Sequence, residues 1–237
     1  MKSDLDLSKL SIVSKTTEKL PSREHLVLLD KPLGKTSFNL VAALRKASHI
    51  QKIGHAGTLD PFATGVMLLL VGKTYTRLSP LFLNQDKEYL ATVHLGISTD
   101  TFDCDGKILN ENTRIPTLEE IQEALKQFQG TILQLPPMFS AKKQGGKKLY
   151  ELARKGIEVA REKVQITLST MLLSYEYPRL ELKVSCSKGT YIRSIAHDLG
   201  TLLGTGAHLS ALTRTRSGAF HLADCLSLEK ACTLYTA

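Results

Sequence analysis

GHAGTLDPFATGVMLLLVG, residues 54–72, changes character halfway along. Up to Gly65 it is broken by Gly54, Gly57, Pro61 and Gly65, a spacing that no helix or strand survives. From Val66 to Val71 it is an unbroken apolar run with the length of one buried strand. The expectation is a loop set between packed segments and running into the core. Loops placed in this way often carry function. The apolar run is far shorter than the roughly 20 residues needed to span a membrane.

Upstream, Leu26-Val27-Leu28-Leu29 reads as a second buried strand. It closes at Asp30-Lys31-Pro32, because Pro32 has no N–H for a sheet and biases Lys31 towards extended geometry. Thr36 or Ser37 then caps a helix with Leu40, Val41, Leu44 and Ala47 on one face. Downstream, a short helix interrupted at Pro80 precedes a strand at about 88–97, where Tyr89, Ala91, Val93 and Leu95 alternate. Thr117 and Glu120 form a capping box for a helix over 118–129, with Gly130 as its stop. Two strands follow near 164–175 and 179–187. Ile192, Ile195, Ala196, Leu199, Leu202 and Leu203 then mark an amphipathic helix ending at Gly204.

Strands and helices do not alternate regularly, and no repeat is present. An α+β fold is expected, a largely antiparallel mixed sheet flanked by helices. Residues 1–24 read as a loosely held N-terminal extension, with structure starting at His25, and 25–237 as one catalytic domain.

The 237-residue chain is 42% hydrophobic and 23% charged, an ordinary globular composition. Its net charge of +8 suits a polyanionic partner, and the distribution sharpens this. Residues 141–163 hold Lys142, Lys143, Lys147, Lys148, Arg154, Lys155, Arg161 and Lys163 against Glu151, Glu158 and Glu162, a local charge of +5. Over 84–120 eight acidic groups meet three basic ones, so one strongly positive side is expected. A charge run also fits a solvated helix face. Cys104, Cys186, Cys225 and Cys232 form no CxxC pair and have no histidine at zinc-finger spacing, so reduced thiols and no metal site are expected. The N-terminus lacks an apolar signal region, and a cytoplasmic protein follows.

Three tempting motifs fail. Gly34-Lys35-Thr36 and Gly72-Lys73-Thr74 imitate the end of a Walker A loop, but the glycine required five residues earlier is Leu29 in one case and Met67 in the other. Asp103, Asp105 and Gly106 resemble part of a calcium loop whose first and twelfth positions would be Thr101 and Asn112, so a solvated hairpin turn is expected. His197 and Asp198 are adjacent on a helix, about 100° apart, and are expected at the surface.

Residues 54–72 resemble the signature of the TruB family, the bacterial tRNA pseudouridine-55 synthases. DKPLGKTS (30–37) and KGTYIRSIAHDLG (188–200) agree in order and spacing, and LPPMFSAKKQGGKKLYELARKG (135–156) and HLSALTRTRSGAF (208–220) are similar to further blocks of the family. The resemblance covers roughly 25–225. It implies the pseudouridine synthase fold, an RNA-gripping insertion at about 136–162, tRNA as partner, no cofactor and no obligatory protein partner, and a monomer. Family members commonly continue into a PUA domain, and with 17 residues after Phe220 no complete one is expected here.

On its own residues, Asp60 before Pro61 is a turn former. The resemblance makes it the catalytic carboxylate, kept ionised by Arg193. The reaction needs one such group: uracil must leave C1′, turn and reattach through C5, and its departure makes the sugar oxocarbenium-like. Attack on C1′ and removal of the 2′ proton both fit. Tyr89, otherwise one apolar member of a strand, corresponds to a tyrosine that stacks on the uracil and helps remove the C5 proton, and aromatic faces hold extruded bases. His55 could be merely a loop histidine, but the resemblance implies that it fills the space left by the flipped base. The resemblance likewise implies that Gly57, Thr58 and Leu59 bind substrate from the loop, that Tyr191 and Ile192 wall the pocket, and that Lys31 supports the loop rather than reacting. Lys142, Lys143, Lys147 and Lys148 contact the RNA, with Gly145-Gly146 as a hinge. Should that run be only a solvated face, the grip is expected around Arg214 and Arg216. A guide-RNA-dependent dyskerin-type synthase, a non-catalytic RNA-binding or RNA-folding module and a glycoside hydrolase are the competing readings. The last lacks a second carboxylate in the blocks around Asp60.

Overall fold

A computed structural model describes residues 7–140, 142–144, 146–153 and 156–236. In chain order the elements are β1 Ile12–Val13, β2 His25–Lys31, α1 Ser37–Ser48, β3 Ile53–His55, β4 Ala63–Val71, α2 Lys73–Arg77, α3 Ser79–Leu83, β5 Lys87–Leu95, β6 Ile97–Thr99, β7 Ile108–Glu111, α4 Leu118–Leu125, β8 Gln129–Gln134, β9 Lys143–Gln144, β10 Lys147–Lys148, α5 Leu149–Ala153, β11 Val164–Glu176, β12 Arg179–Cys186, α6 Ile192–Leu202, β13 Ala207–Ser217, β14 Phe220–His221 and α7 Leu228–Thr233. They fall into two compact units. One is Met1–Tyr89 with Thr213–Ala237, the other Leu90–Leu212, and β5 and β13 contribute residues to both.

In the first unit the strand order is β1-β2-β4-β13, with β3 on β4 and β14 on β13. The two apolar runs meet along their whole length, as β2 and β4 pair antiparallel from His25↔Val71 to Lys31↔Gly65. Their side chains enter a core with Leu26, Leu28, Val66, Leu68, Leu70 and Phe82. Gly65 is required where β4 meets β13: its φ is +101°, and a Cβ there would lie 2.3 Å from the Arg214 carbonyl oxygen. Thr36 caps α1 through a reciprocal box with Asn39, in which the Asn39 amide donates to Thr36 Oγ1 at 3.1 Å and the Thr36 amide to Asn39 Oδ1 at 2.8 Å. The region around Pro80 is two short helices, with Pro80 in the first turn of α3, where a missing N–H costs nothing.

Structure begins before His25. Ile12 and Val13 pair parallel with Leu26 and Val27, Val13 is fully buried, and the Ser11 amide donates to the Tyr75 hydroxyl at 2.6 Å. Two apolar residues suffice here because the edge of β2 supplies the ladder they lack alone. Residues 1–6 of the expected extension lie outside the described residues.

In the second unit the order is β13-β5-β12-β11-β8, beside two hairpins, β6/β7 and β9/β10. β11 pairs antiparallel with both β12 and β8. The Thr117–Glu120 box starts α4 as expected, but the helix ends at Leu125 and a single 3₁₀ turn follows. Gly130, expected as its stop, instead lies within β8 opposite Leu168, at φ +73°. Burying Phe128 and the β8–β11 ladder outweighs the continued helix that the spacing suggested. In α6, Ile192, Ile195, Ala196 and Leu199 are buried. The basic segment forms the β9/β10 hairpin, Lys147↔Gln144 and Lys148↔Lys143, and α5. Gly145, half of the expected hinge, and Arg154 and Lys155 of the basic run lie outside the described residues.

Candidate active site

The loop carrying Asp60 is held at several points through its backbone. Ser37 Oγ, at the start of α1, accepts from the Leu59 amide at 3.1 Å and donates to the Leu59 carbonyl at 3.3 Å. The Ala63 amide donates to the Asp60 carbonyl at 3.1 Å, and the Gly34 amide to the Pro61 carbonyl at 2.9 Å. Lys31, at the end of β2, is fully buried and donates through Nζ to the carbonyls of Ala63 at 2.6 Å, Pro32 at 3.0 Å and Pro61 at 3.2 Å. Its ammonium is pulled down to about 8, chiefly by burial and also by the Arg214 charge, against the opposing charges of Asp60 and Asp30. A lysine so enclosed by carbonyls acts on loop shape. The other side of the loop is held by Arg214, whose Nη2 donates to the Gly57 carbonyl at 3.3 Å. Gly57 has φ +94°, which glycine adopts without strain. Leu59 is buried, Thr58 exposed and Asp60 half-buried.

Of the other residues in this unit, His55 ends β3 and is partly buried. Burial lowers its imidazole below the usual 6.5, the Arg214 charge adds to the fall, and a hydrogen bond with the Gly57 backbone opposes it. Tyr89 lies on β5 at 9% exposure. Arg214 is 1% exposed and is therefore no surface grip for phosphate, contrary to the alternative placed there, while Arg216 Nη1 donates to the Gly218 carbonyl at 2.9 Å.

The second unit brings Tyr191, Ile192 and Arg193 together at the start of α6. Gln134 pins the first of them, its Oε1 accepting from the Tyr191 amide at 2.8 Å and its Nε2 donating to the Tyr191 carbonyl at 3.0 Å. Ile192 is buried. Arg193 is 6% exposed, and its Nη1 donates to Asp103 Oδ2 at 3.1 Å and to the Thr101 carbonyl at 3.0 Å, with Nη2 on the Phe139 carbonyl at 2.7 Å. Asp103 also accepts from Thr101 Oγ1 at 2.6 Å and the Asp105 amide at 3.1 Å. The expected solvated turn is thus corrected: Asp103 is buried at 5% exposure and engaged on both oxygens. His197 is not simply at the surface either. Its ring stacks on Phe102 at 3.8 Å, and burial lowers its pKa while Asp198 opposes the fall. Lys142 is exposed, and Lys143, Lys147 and Lys148 lie on the β9/β10 hairpin.

Comparison with known proteins defines the class. The chain resembles the structures titled archaeal box H/ACA sRNP Nop10–Cbf5 complex, at 27% identity and TM-score 0.66 over 90% of this chain and 54% of that one, and Cbf5–Nop10–Gar1 complex, at 29% and 0.69 over 95% and 63%. It spans little more than half to under two thirds of those chains. Its fold is that of the pseudouridine synthases.

Residues 45–192 match the family described as TruB family pseudouridylate synthase (N terminal domain), and residues 193–236 match the tRNA pseudouridylate synthase B C-terminal domain. Proteins named tRNA pseudouridine synthase B are 65% identical in Protochlamydia amoebophila, over 86% of this chain and 78% of that one, and 57% identical in Chlamydia pneumoniae, over 86% and 87%. This chain belongs to the TruB family of pseudouridylate synthases, isomerases that act on uridine in tRNA. Among the described residues no helix is long and apolar enough to cross a membrane.

Proposed function

We propose that this protein converts uridine 55 in the T loop of tRNA to pseudouridine without a guide RNA, with Asp60 as the catalytic carboxylate. The observation that carries the reading is 65% identity over 86% of the chain to a protein named tRNA pseudouridine synthase B. The clamped backbone around Asp60 supports the assignment of the carboxylate. Preorganised groups contribute most when nothing has to rearrange as charge develops, and here Lys31, Ser37 and Arg214 hold the loop before substrate arrives.

In this reading the C1′–N1 bond breaks beside ionised Asp60, which takes up either the sugar carbon or the 2′ proton. The freed uracil turns on the face of Tyr89, and C5 bonds to C1′ as Asp60 releases the sugar carbon or gives the proton back to C2′. The C5 proton then leaves and N1 is reprotonated, so the product has the atoms of the substrate. Arg193 supplies the counter-charge to Asp60, Gly57, Thr58 and Leu59 line the loop, His55 occupies the place of the flipped base, and Tyr191 and Ile192 wall the pocket. Lys142, Lys143, Lys147 and Lys148 contact phosphates. The enzyme acts as a cytoplasmic monomer without metal or cofactor. Four free cysteines suit a reducing compartment.

A second reading, a guide-dependent synthase, is favoured by the likeness to the H/ACA structures. One experiment separates the two: pseudouridine is mapped in an unmodified tRNA transcript incubated with the purified protein alone. Modification at position 55 is expected, and modification only after a guide RNA is added would support the second reading.

A further inference from the structure

Arg214 is one of the largest fully buried side chains in the protein. Its guanidinium makes its hydrogen bonds to neutral acceptors: Nε donates to the Val66 carbonyl at 2.7 Å, and Nη2 to the Gly57 carbonyl at 3.3 Å and towards Met67 Sδ at 3.9 Å. Taking a cation out of water is costly, and carbonyls offset this less completely than a carboxylate does. An apolar side chain would fill a strand interior with no such cost. The placement of the charge therefore calls for a reason beyond packing.

Its partners supply one. Val66 and Met67 lie on β4, the rigid strand into which the loop runs, and Gly57 lies at the start of the loop. Nε and Nη2 point to different acceptors, so one planar group ties the loop's entry to the strand that follows its exit. Lys31 grips the exit itself at Pro61 and Ala63. Two buried cations thus hold backbone carbonyls on either side of Asp60.

We propose that Arg214 is a positioning residue for the reaction: through the Gly57 carbonyl its guanidinium fixes the loop so that the Asp60 carboxylate meets the sugar in reactive geometry. The inference rests on Asp60 being the catalytic carboxylate. Lysine cannot replace arginine in this role, because an ammonium lacks the separated donors of the planar fork.

The test uses the full chain and an unmodified tRNA transcript. Arg214→Lys is expected to lower the single-turnover rate at saturating tRNA by roughly 10–100-fold, the cost of a carboxylate misplaced by about 1 Å. The Kd for tRNA and the folded fraction, read by thermal melting, should stay within threefold and near wild type. A wild-type rate in Arg214→Lys overturns the proposal, as does a rate loss matched by an equal loss of tRNA binding or folded protein. Should Arg214→Lys not fold, Arg214→Gln is measured in the same way, and failure of both to fold also overturns it by showing that the residue only sustains the fold. Asp60→Asn, run in parallel, keeps the two claims apart. An inactive Asp60→Asn with a fully active Arg214→Lys removes this inference alone, whereas an active Asp60→Asn removes the reading beneath it.

Discussion

Arg193 Nη1 lies 3.1 Å from Asp103 Oδ2, and both side chains are only 7% exposed. Such a pair is costly to break from one side, because the remaining charge stays buried without its partner. Asp103→Ala is expected to lower unfolding stability by about 3–5 kcal/mol, measured by urea denaturation. A loss below about 1 kcal/mol would mean that the other partners of Arg193, the Thr101 and Phe139 carbonyls among them, hold it without Asp103.

That pair also shows where the sequence stopped being readable. Thr36, Thr117, the alternation around Tyr89 and the apolar run Val66–Val71 act through neighbours a few residues away, and those elements appear where they are expected. Asp103 and Arg193 are 90 residues apart, and an aspartate in a turn-like stretch reads as solvated until its partner is known. β13 escaped notice because Thr213, Arg214, Thr215 and Ser217 give it no apolar pattern, and the burial of Arg214 depends on carbonyls 148 and 157 residues away. β1 is two residues long and exists only against β2. At the candidate site, the loop was legible from its glycines and Pro61, and Asp60 is a candidate only through the family resemblance, while the supports of the loop were legible only in part: Lys31 as a loop support, Ser37 only as a helix cap, and Arg214 not at all.

Acid should destabilise the protein through its histidines. Burial lowers the pKa of His25, His55, His94 and His197 from 6.5. His25 is held in one tautomer: Nδ1–H donates to the Ser22 carbonyl at 2.8 Å, leaving Nε2 to accept from the Tyr235 hydroxyl at 2.6 Å. Below pH 6.5 the unfolded chain binds protons that the folded chain refuses, so this contribution is complete above pH 6.5 and is lost as pH falls through the lowered folded values. Melting temperature should drop between pH 7.5 and 5.5, with a shallower drop in His25→Gln. A flat profile would show that these rings protonate freely in the folded state.

The basic hairpin is expected to act through charge. Replacing Lys142, Lys143, Lys147 and Lys148 together with Gln should weaken tRNA binding and flatten its salt dependence, each lost phosphate contact lowering the slope of log K against log salt by roughly 0.7–0.9. Turnover at saturating tRNA should change much less, because such contacts bind substrate and transition state alike. Titrations at several salt concentrations, paired with single-turnover rates, read both quantities. An unchanged slope would make this run a solvated face.

The most direct measurement is the single-turnover formation of pseudouridine at position 55 of an unmodified tRNA transcript by wild-type protein and by Asp60→Asn, with tRNA binding followed in parallel. The substitution preserves size and removes the charge, so it acts on the transition state far more than on the bound ground state. The account predicts rapid modification by the wild type alone and a loss of several orders of magnitude in Asp60→Asn, with tRNA affinity nearly unchanged. Pseudouridine formed by Asp60→Asn at a rate near that of the wild type would contradict it.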